Sequence, residues 1–201
     1  MRRFWRGIAI FLLGGVLGTA FGVALGFFFF PYVFPPPPAF EQLTQADVAP
    51  RADASSSTAV VEKPPVPVAS GAFVHANPSD PVHWGRGKVS VYERTVFLET
   101  DFEVGPGPKY HVYLVPKANI RKEADVKSAM FVDLGRLRAF KGSQRYSIPD
   151  GVDLAKYQSV VIWCEQFGVL ISPADLTLFQ YAETAQEAWD LIARTNGVRS
   201  T

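Results

Sequence analysis

The stretch MRRFWRGIAIFLLGGVLGTAFGVALGFFFF at the start of the sequence constrains the chain more than anything after it. Arg2, Arg3 and Arg6 are followed by no charge until Glu41. The apolar run from Gly7 to Phe30 would be about 36 Å long as a helix, and a hydrocarbon core is about 30 Å thick. A cleavable leader has an apolar core of roughly 7–15 residues that ends at a small-x-small site. Gly18–Ala20 mimics such a site, but the apolar run continues well past it. A retained signal anchor is therefore expected over a cleaved signal. The arginines on the near side place the N-terminus in the cytoplasm and the rest of the chain outside the cytoplasmic membrane, periplasmic or extracellular. Residues 1–30 are read as this anchor.

Gly14, Gly18, Gly22 and Gly26 recur every four residues, which sets them on one slowly precessing face of the helix. Small residues in that register let a second backbone approach closely, so helix–helix self-association is one reading. The ordinary glycine content of membrane helices is the other.

Residues 31–70 read as a disordered tether. PYVFPPPPAF is stiff polyproline, and ADASSSTAVVEKPPVPVAS is small, polar and without sustained period. From residue 71 the texture changes to short β-rich runs: AFVHA, KVSVYER, VFLETDFEV, KYHVYLVP, MFVDLGRL, QRYSI, QSVVIWCE, FGVLISP and DLTLFQY. NPSDP, GRG, GPGP, KG and IPDGVD punctuate them as turns. Many short strands at close spacing predict an all-β domain over 71–181, an antiparallel β-sandwich, with room for one short helix in VPKANIRKEADVKSA. Residues 182–201 read as an amphipathic closing helix. Thr184 and Glu187 form a capping box, Gly197 is the stop, and Trp189, Ile192 and Ala193 make the apolar stripe.

Twenty basic residues balance 19 acidic ones, so no nucleic-acid partner is indicated. The chain has one cysteine, Cys164, in SVVIWCEQFGVLIS. A single thiol forms no intrachain disulfide. It is a core residue, a reactive thiol, half of an intermolecular bridge, or a ligand. Strand alternation puts Cys164 on the side of Val160 and Ile162, with Trp163 and Val161 on the other. Glu165 and Gln166 follow at once, so the sulfur lies near a strand end, where a core opens to loops.

There is no CxxCH for covalent haem, and no His or Met follows Cys164 as in a blue-copper loop. His75, His83 and His111 lie upstream without paired spacing. His83, in the turn-rich PVHWGRG, is the best candidate for a second ligand beside Cys164, and no dedicated metal site is indicated. Glu99, Asp101 and Glu103 alternate, so as a strand they share one face, suited to a hard cation or simply to solvent. Arg136, Arg138, Lys141 and Arg145 make a basic patch, for an acidic partner, lipid headgroups or solvent. GPGP lacks the following helix of a phosphate loop. No serine–histidine–acid or paired-carboxylate spacing supports a hydrolase.

Five blocks together resemble the DM-thirteen domain: GAF at Gly71–Phe73, HWGRGKVSVYE from His83, LETDFEVGPGPKYHVYL from Leu98, VDLGRLRAFKGSQRYSIP from Val132 and VDLAKYQSVVIWCEQFGVLISPADL from Val152. The resemblance spans residues 71–178, and its last two blocks are the most specific. That family is described as an electron-transfer module of cell-surface and exported proteins, all-β and related to cytochrome-like sandwiches. The resemblance implies that its single functional cysteine, in VVIWC, is Cys164, as a naked redox thiol or as ligand to a haem or metal ion. The expected function is thus a membrane-anchored redox module with a redox partner in the cell envelope. The rival is a non-catalytic binding module. An enzyme with its own substrate has no motif behind it.

Overall fold

A computed structural model of the chain describes residues 2–48, 66–178 and Trp189. In chain order the elements are α1 (Arg2–Val33), β1 (Ala39–Phe40), α2 (Gln45–Val48), β2 (Ala69–Ala72), β3 (Gly85–Arg86), β4 (Lys88–Val91), β5 (Thr95–Leu98), β6 (Glu103–Val104) and β7 (Tyr110–Val115). They continue with α3 (Glu123–Lys127), β8 (Val132–Arg136), β9 (Gly142–Ser147), a 3-10 turn (Leu154–Lys156), β10 (Ser159–Cys164), β11 (Val169–Asp175) and β12 (Thr177–Leu178).

The apolar opening run folds as one helix, of which Arg2–Phe27 is long and apolar enough to cross a membrane. A Cβ placed on Gly14, Gly18, Gly22 or Gly26 would meet nothing within 4 Å, so that face is open along its length.

One sheet has the order β1-β9-β5-β4-β2-β12, another β11-β10-β7-β8, and β3 pairs with β6 apart from both. Phe73, just past β2, bridges to Ala174 of β11, and Val74 N–H donates to the Pro173 carbonyl at 3.0 Å. The two larger sheets thereby join at a corner into one curled, half-barrel or sandwich-like β-structure. The expected antiparallel sandwich is corrected in one respect. β1 runs parallel to β9, so the six-stranded sheet is mixed. The reason is that Ala39–Phe40, leaving the proline run, finds the open edge of β9 and satisfies it.

The main core fills the space between the sheets, where Val89, Leu98 and Tyr146 face Val112, Leu114 and Ile162. A second core lies on the outer face of the four-stranded sheet, where Ile120 and Val126 cover Tyr113, Val161, Trp163 and Leu170. β10 is central to both, and all six of its residues are buried. Its alternation is the one read from sequence: Val160, Ile162 and Cys164 face the main core, Val161 and Trp163 the second. Each fully buried valine or isoleucine there stabilises the fold by about 1.5–3 kcal/mol, which anchors this strand strongly.

Two expectations meet the structure differently, and a third falls outside the described residues. VFLETDFEV is not one strand: Phe102 N–H donates back to the Glu99 carbonyl at 3.0 Å, and the resulting turn separates β5 from β6. Glu99, Asp101 and Glu103 therefore share no strand face. Their carboxylates take the Ser90 hydroxyl, the Lys88 N–H, and the Arg86 and Lys141 side chains respectively. Second, within the segment expected as a tether, residues 31–33 complete α1 and residues 39–48 lie on the β-domain. Five residues, Phe34 to Pro38, separate α1 from β1. Third, the closing helix expected over 182–201 lies outside the described residues apart from Trp189, which is exposed.

Candidate functional site

Cys164 ends β10, paired with Tyr110 of β7 on one side and Val169 of β11 on the other. It is 1% exposed. Its Sγ donates to the Pro108 carbonyl at 3.3 Å. Pro108 belongs to the GPGP loop between β6 and β7, so that loop lies over the sulfur. Burial pushes the thiol above its ordinary range, and the charge of Glu165 adds to this; the backbone N–H groups of Phe167 and Gln166 offset it in part. At neutral pH Cys164 is a protonated, shielded thiol.

His83 is held in its turn by Asp80. The imidazole Nδ1 lies 2.6 Å from Asp80 Oδ2, while Asp80 Oδ1 accepts from the Val82 and His83 N–H groups at 2.9 and 3.1 Å. These bonds, the His83 side chain foremost, bring the Asp80 carboxyl down to about 2. His75 Nε2 lies 2.7 Å from the Asp80 carbonyl, so one aspartate organises the whole NPSDPVH turn. Burial raises the Tyr110 hydroxyl first, and the charges of Cys164 and Asp80 act on it in the same direction. The Gly105 N–H donates to the Trp84 carbonyl at 2.9 Å, which ties the GPGP loop over Cys164 to the segment that follows His83. His83 itself is engaged by Asp80.

A third group sits on the outer face of the four-stranded sheet. His111 Nδ1 is 2.9 Å from Asp133 Oδ2 and its Nε2 is 3.5 Å from Glu165 Oε2. Lys109 Nζ lies 3.1 Å from Glu165 Oε2, and the Tyr113 hydroxyl donates to Glu165 Oε1 at 3.1 Å. The Lys109 bond foremost, with His111 and Tyr113, holds the Glu165 carboxyl below its usual range. One ligand atom from each of His111, Asp133 and Glu165 falls within 4.8 Å of the others. Both imidazole nitrogens and Glu165 are already answered within the cluster, which acts as an ion network tying β7, β8 and the β10–β11 turn together. Tyr113 stacks on Phe131 with ring centroids 4.3 Å apart and on Trp163 at 6.4 Å. The only sign of this cluster in the sequence was that His111 and Tyr113 share a face by alternation. The register that adds Asp133 and Glu165 comes from the folded sheet.

The chain matches the family described as Electron transfer DM13 over residues 78–176. This stretch is a DM13 domain. No curated protein and no solved structure matches the chain. The DM13 domain contains Cys164, His83, the outer-face cluster and nine of the twelve strands among the described residues, β3 to β11, while β1, β2 and β12 lie outside it.

A haem or metal ion held through Cys164 has to be weighed against the side chains actually near it. Among the described residues, the ligand-type side chains that gather closely are those of the outer face, and Cys164 is not with them. Its sulfur points into the main core, while His111 lies on the opposite face of the neighbouring strand. Among the described residues, Cys164 belongs to no group of three or more His, Cys, Asp or Glu ligand atoms close enough to share a metal ion.

The basic patch is mostly consumed by the chain itself. Arg138 and Arg145 bind Glu41, Arg145 also reaches Asp47 Oδ2 at 2.9 Å, and Lys141 pairs with Glu103. Arg138 and Arg145 thus take their acidic partners from the segment that follows α1.

Proposed function

We propose that the chain is a membrane-anchored electron-transfer module displayed on the outer side of the cytoplasmic membrane, with the Cys164 thiol as its redox centre. The family description and the apolar helix support the coarse reading. The observation that carries the finer one is the Cys164–Pro108 bond. The thiol closes the end of a rigid central strand and is bound by the backbone of a single glycine- and proline-rich loop. A buried, protonated thiol is shielded from bulk reductants and disulfides, so it answers to a partner that engages this end of the domain rather than to small thiols.

The test compares wild type with Cys164→Ser in the full chain, extracted gently from its membrane. Visible absorption and a redox titration of the thiol are recorded for both. A redox transition present in wild type and absent from the variant is the expected result. Identical titrations would refute the role of Cys164. A visible band lost in the variant would restore a ligated chromophore. A second reading, a non-catalytic binding module, draws on the packing of Cys164 among Val160, Ile162 and Tyr110 in the main core. It predicts that Cys164→Ser, a near-isosteric swap, leaves every cellular function in place.

A further inference from the structure

An apolar pocket of about 520 Å³ lies between the outer end of α1 and the DM13 domain. Phe27, Phe30 and Phe34 form the helix side; Pro108, Tyr110 and Phe140 form the domain side. Tyr110 and Phe140 meet edge to face at 6.0 Å. Lys109, Arg136 and Arg138 border the cavity. Lys109 is engaged by Glu165 and Arg138 by Glu41. Arg136 has no side-chain partner among the described residues.

Tyr110 is only 3% exposed, yet no described donor or acceptor meets its hydroxyl. An unpaired buried hydroxyl destabilises a fold, so its retention in a folded core calls for a reason. Gly107, also on the pocket wall, leaves the space it occupies: a Cβ there would overlap the Tyr110 hydroxyl.

We infer that this pocket binds a lipid-soluble quinone. The unpaired polar groups on its wall, the Tyr110 hydroxyl and the Arg136 guanidinium, are both donors, and the remaining wall is largely aromatic. A flat, apolar ring bearing carbonyl acceptors answers both features. Such a molecule arrives through the bilayer, and the pocket is built on the end of the helix suited to crossing it. A phospholipid headgroup would satisfy Arg136 but leaves the buried hydroxyl and the aromatic walls without a counterpart. Pro108 places the pocket one residue from Cys164, since it lines the cavity and its carbonyl takes the thiol. This inference deepens the electron-transfer reading and rests on it for the purpose of the ligand.

The full chain in phosphatidylcholine nanodiscs is titrated with oxidised decylubiquinone, with no electron donor present, and bound quinone is counted after gel filtration. Saturable binding near one per chain is expected. Tyr110→Phe should weaken it about five- to tenfold while leaving thermal stability unchanged or raised, because the lost hydroxyl had no partner. Arg136→Gln should weaken it several-fold. Binding no greater than in empty nanodiscs, or wild-type binding by both variants, overturns the inference. Displacement of the quinone by equimolar phosphatidylglycerol also overturns it, in favour of a lipid site. Binding is scored in Cys164→Ser as well. Intact binding with no Cys164-dependent redox transition refutes the role of the thiol and leaves the pocket. A Cys164-dependent transition without binding refutes the pocket alone.

Discussion

Arg138 holds Glu41 with two guanidinium nitrogens, Nε to Oε1 and Nη2 to Oε2, each at 2.9 Å and across 97 positions of sequence. The Arg145 N–H donates to Glu41 Oε2 at 3.0 Å, and the Ser143 hydroxyl donates to the Glu41 carbonyl at 2.7 Å. The result is a bidentate pair within a network, a better case than an isolated surface ion pair.

Glu41→Ala should release residues 39–48 from β9 and lower stability by about 1 kcal/mol, an effect that shrinks in high salt. Limited proteolysis checks it: new cleavage before residue 48 is expected, and a wild-type pattern would show that the strand pairing suffices.

Gly142→Ala acts on the same junction from the other side. Gly142 has φ +88°, and a Cβ there would overlap the Ala39 carbonyl oxygen. The substitution should cost about 1–3 kcal/mol in a urea titration, through both the strained backbone and the loss of β1.

Alkylation and alkaline unfolding report on Cys164. At pH 7.5 the folded chain should react with iodoacetamide roughly a hundredfold more slowly than the chain in urea. The fold favours the protonated thiol, because burial raises it above its ordinary 9.0. The stability this contributes is fully present below pH 9 and is lost as pH climbs through the folded value. Tyr146, pushed up by burial to about 12, acts in the same way further up. Cys164→Ser should remove the first part of the alkaline decline and keep the second.

Acid unfolding reports on Asp80 with the opposite sign. Its folded value of about 2 lies below the ordinary 3.8, so its contribution is present above pH 4 and disappears as pH falls toward 2. The side chain is 29% exposed, so the effect is about 1 kcal/mol or less. Asp80→Asn should flatten stability over that window, and His83→Ala should remove most of the same effect. An unchanged acid profile in both would mean that the turn is not held by this pair.

What could be read in the sequence was what a single strand or helix decides by itself. The membrane-length helix, the strands from β7 to β11 and the two faces of β10 follow from apolar runs and alternation, whereas the short α3 lies in a charged stretch that reads equally as a loop. The docking of Ala39–Val48 was not legible. A two-residue strand has no pattern, and the arginines that hold Glu41 lie about a hundred residues away. The gathering of His111, Asp133 and Glu165 depends on the register of three strands, including a shift between His111 and Tyr113. The turn after Glu99 was hidden because its acids alternate as a strand would, although each is claimed by a different neighbour.

The five residues between α1 and β1 have a mechanical consequence. As an extended proline-rich run they reach about 15 Å, and past them the chain is already fastened to the sheet. With α1 set in a bilayer, the height of the domain would therefore be fixed by Phe34 to Pro38, and a pull on the helix would reach the sheet through these five residues. Such a mount is a short stalk rather than a long leash.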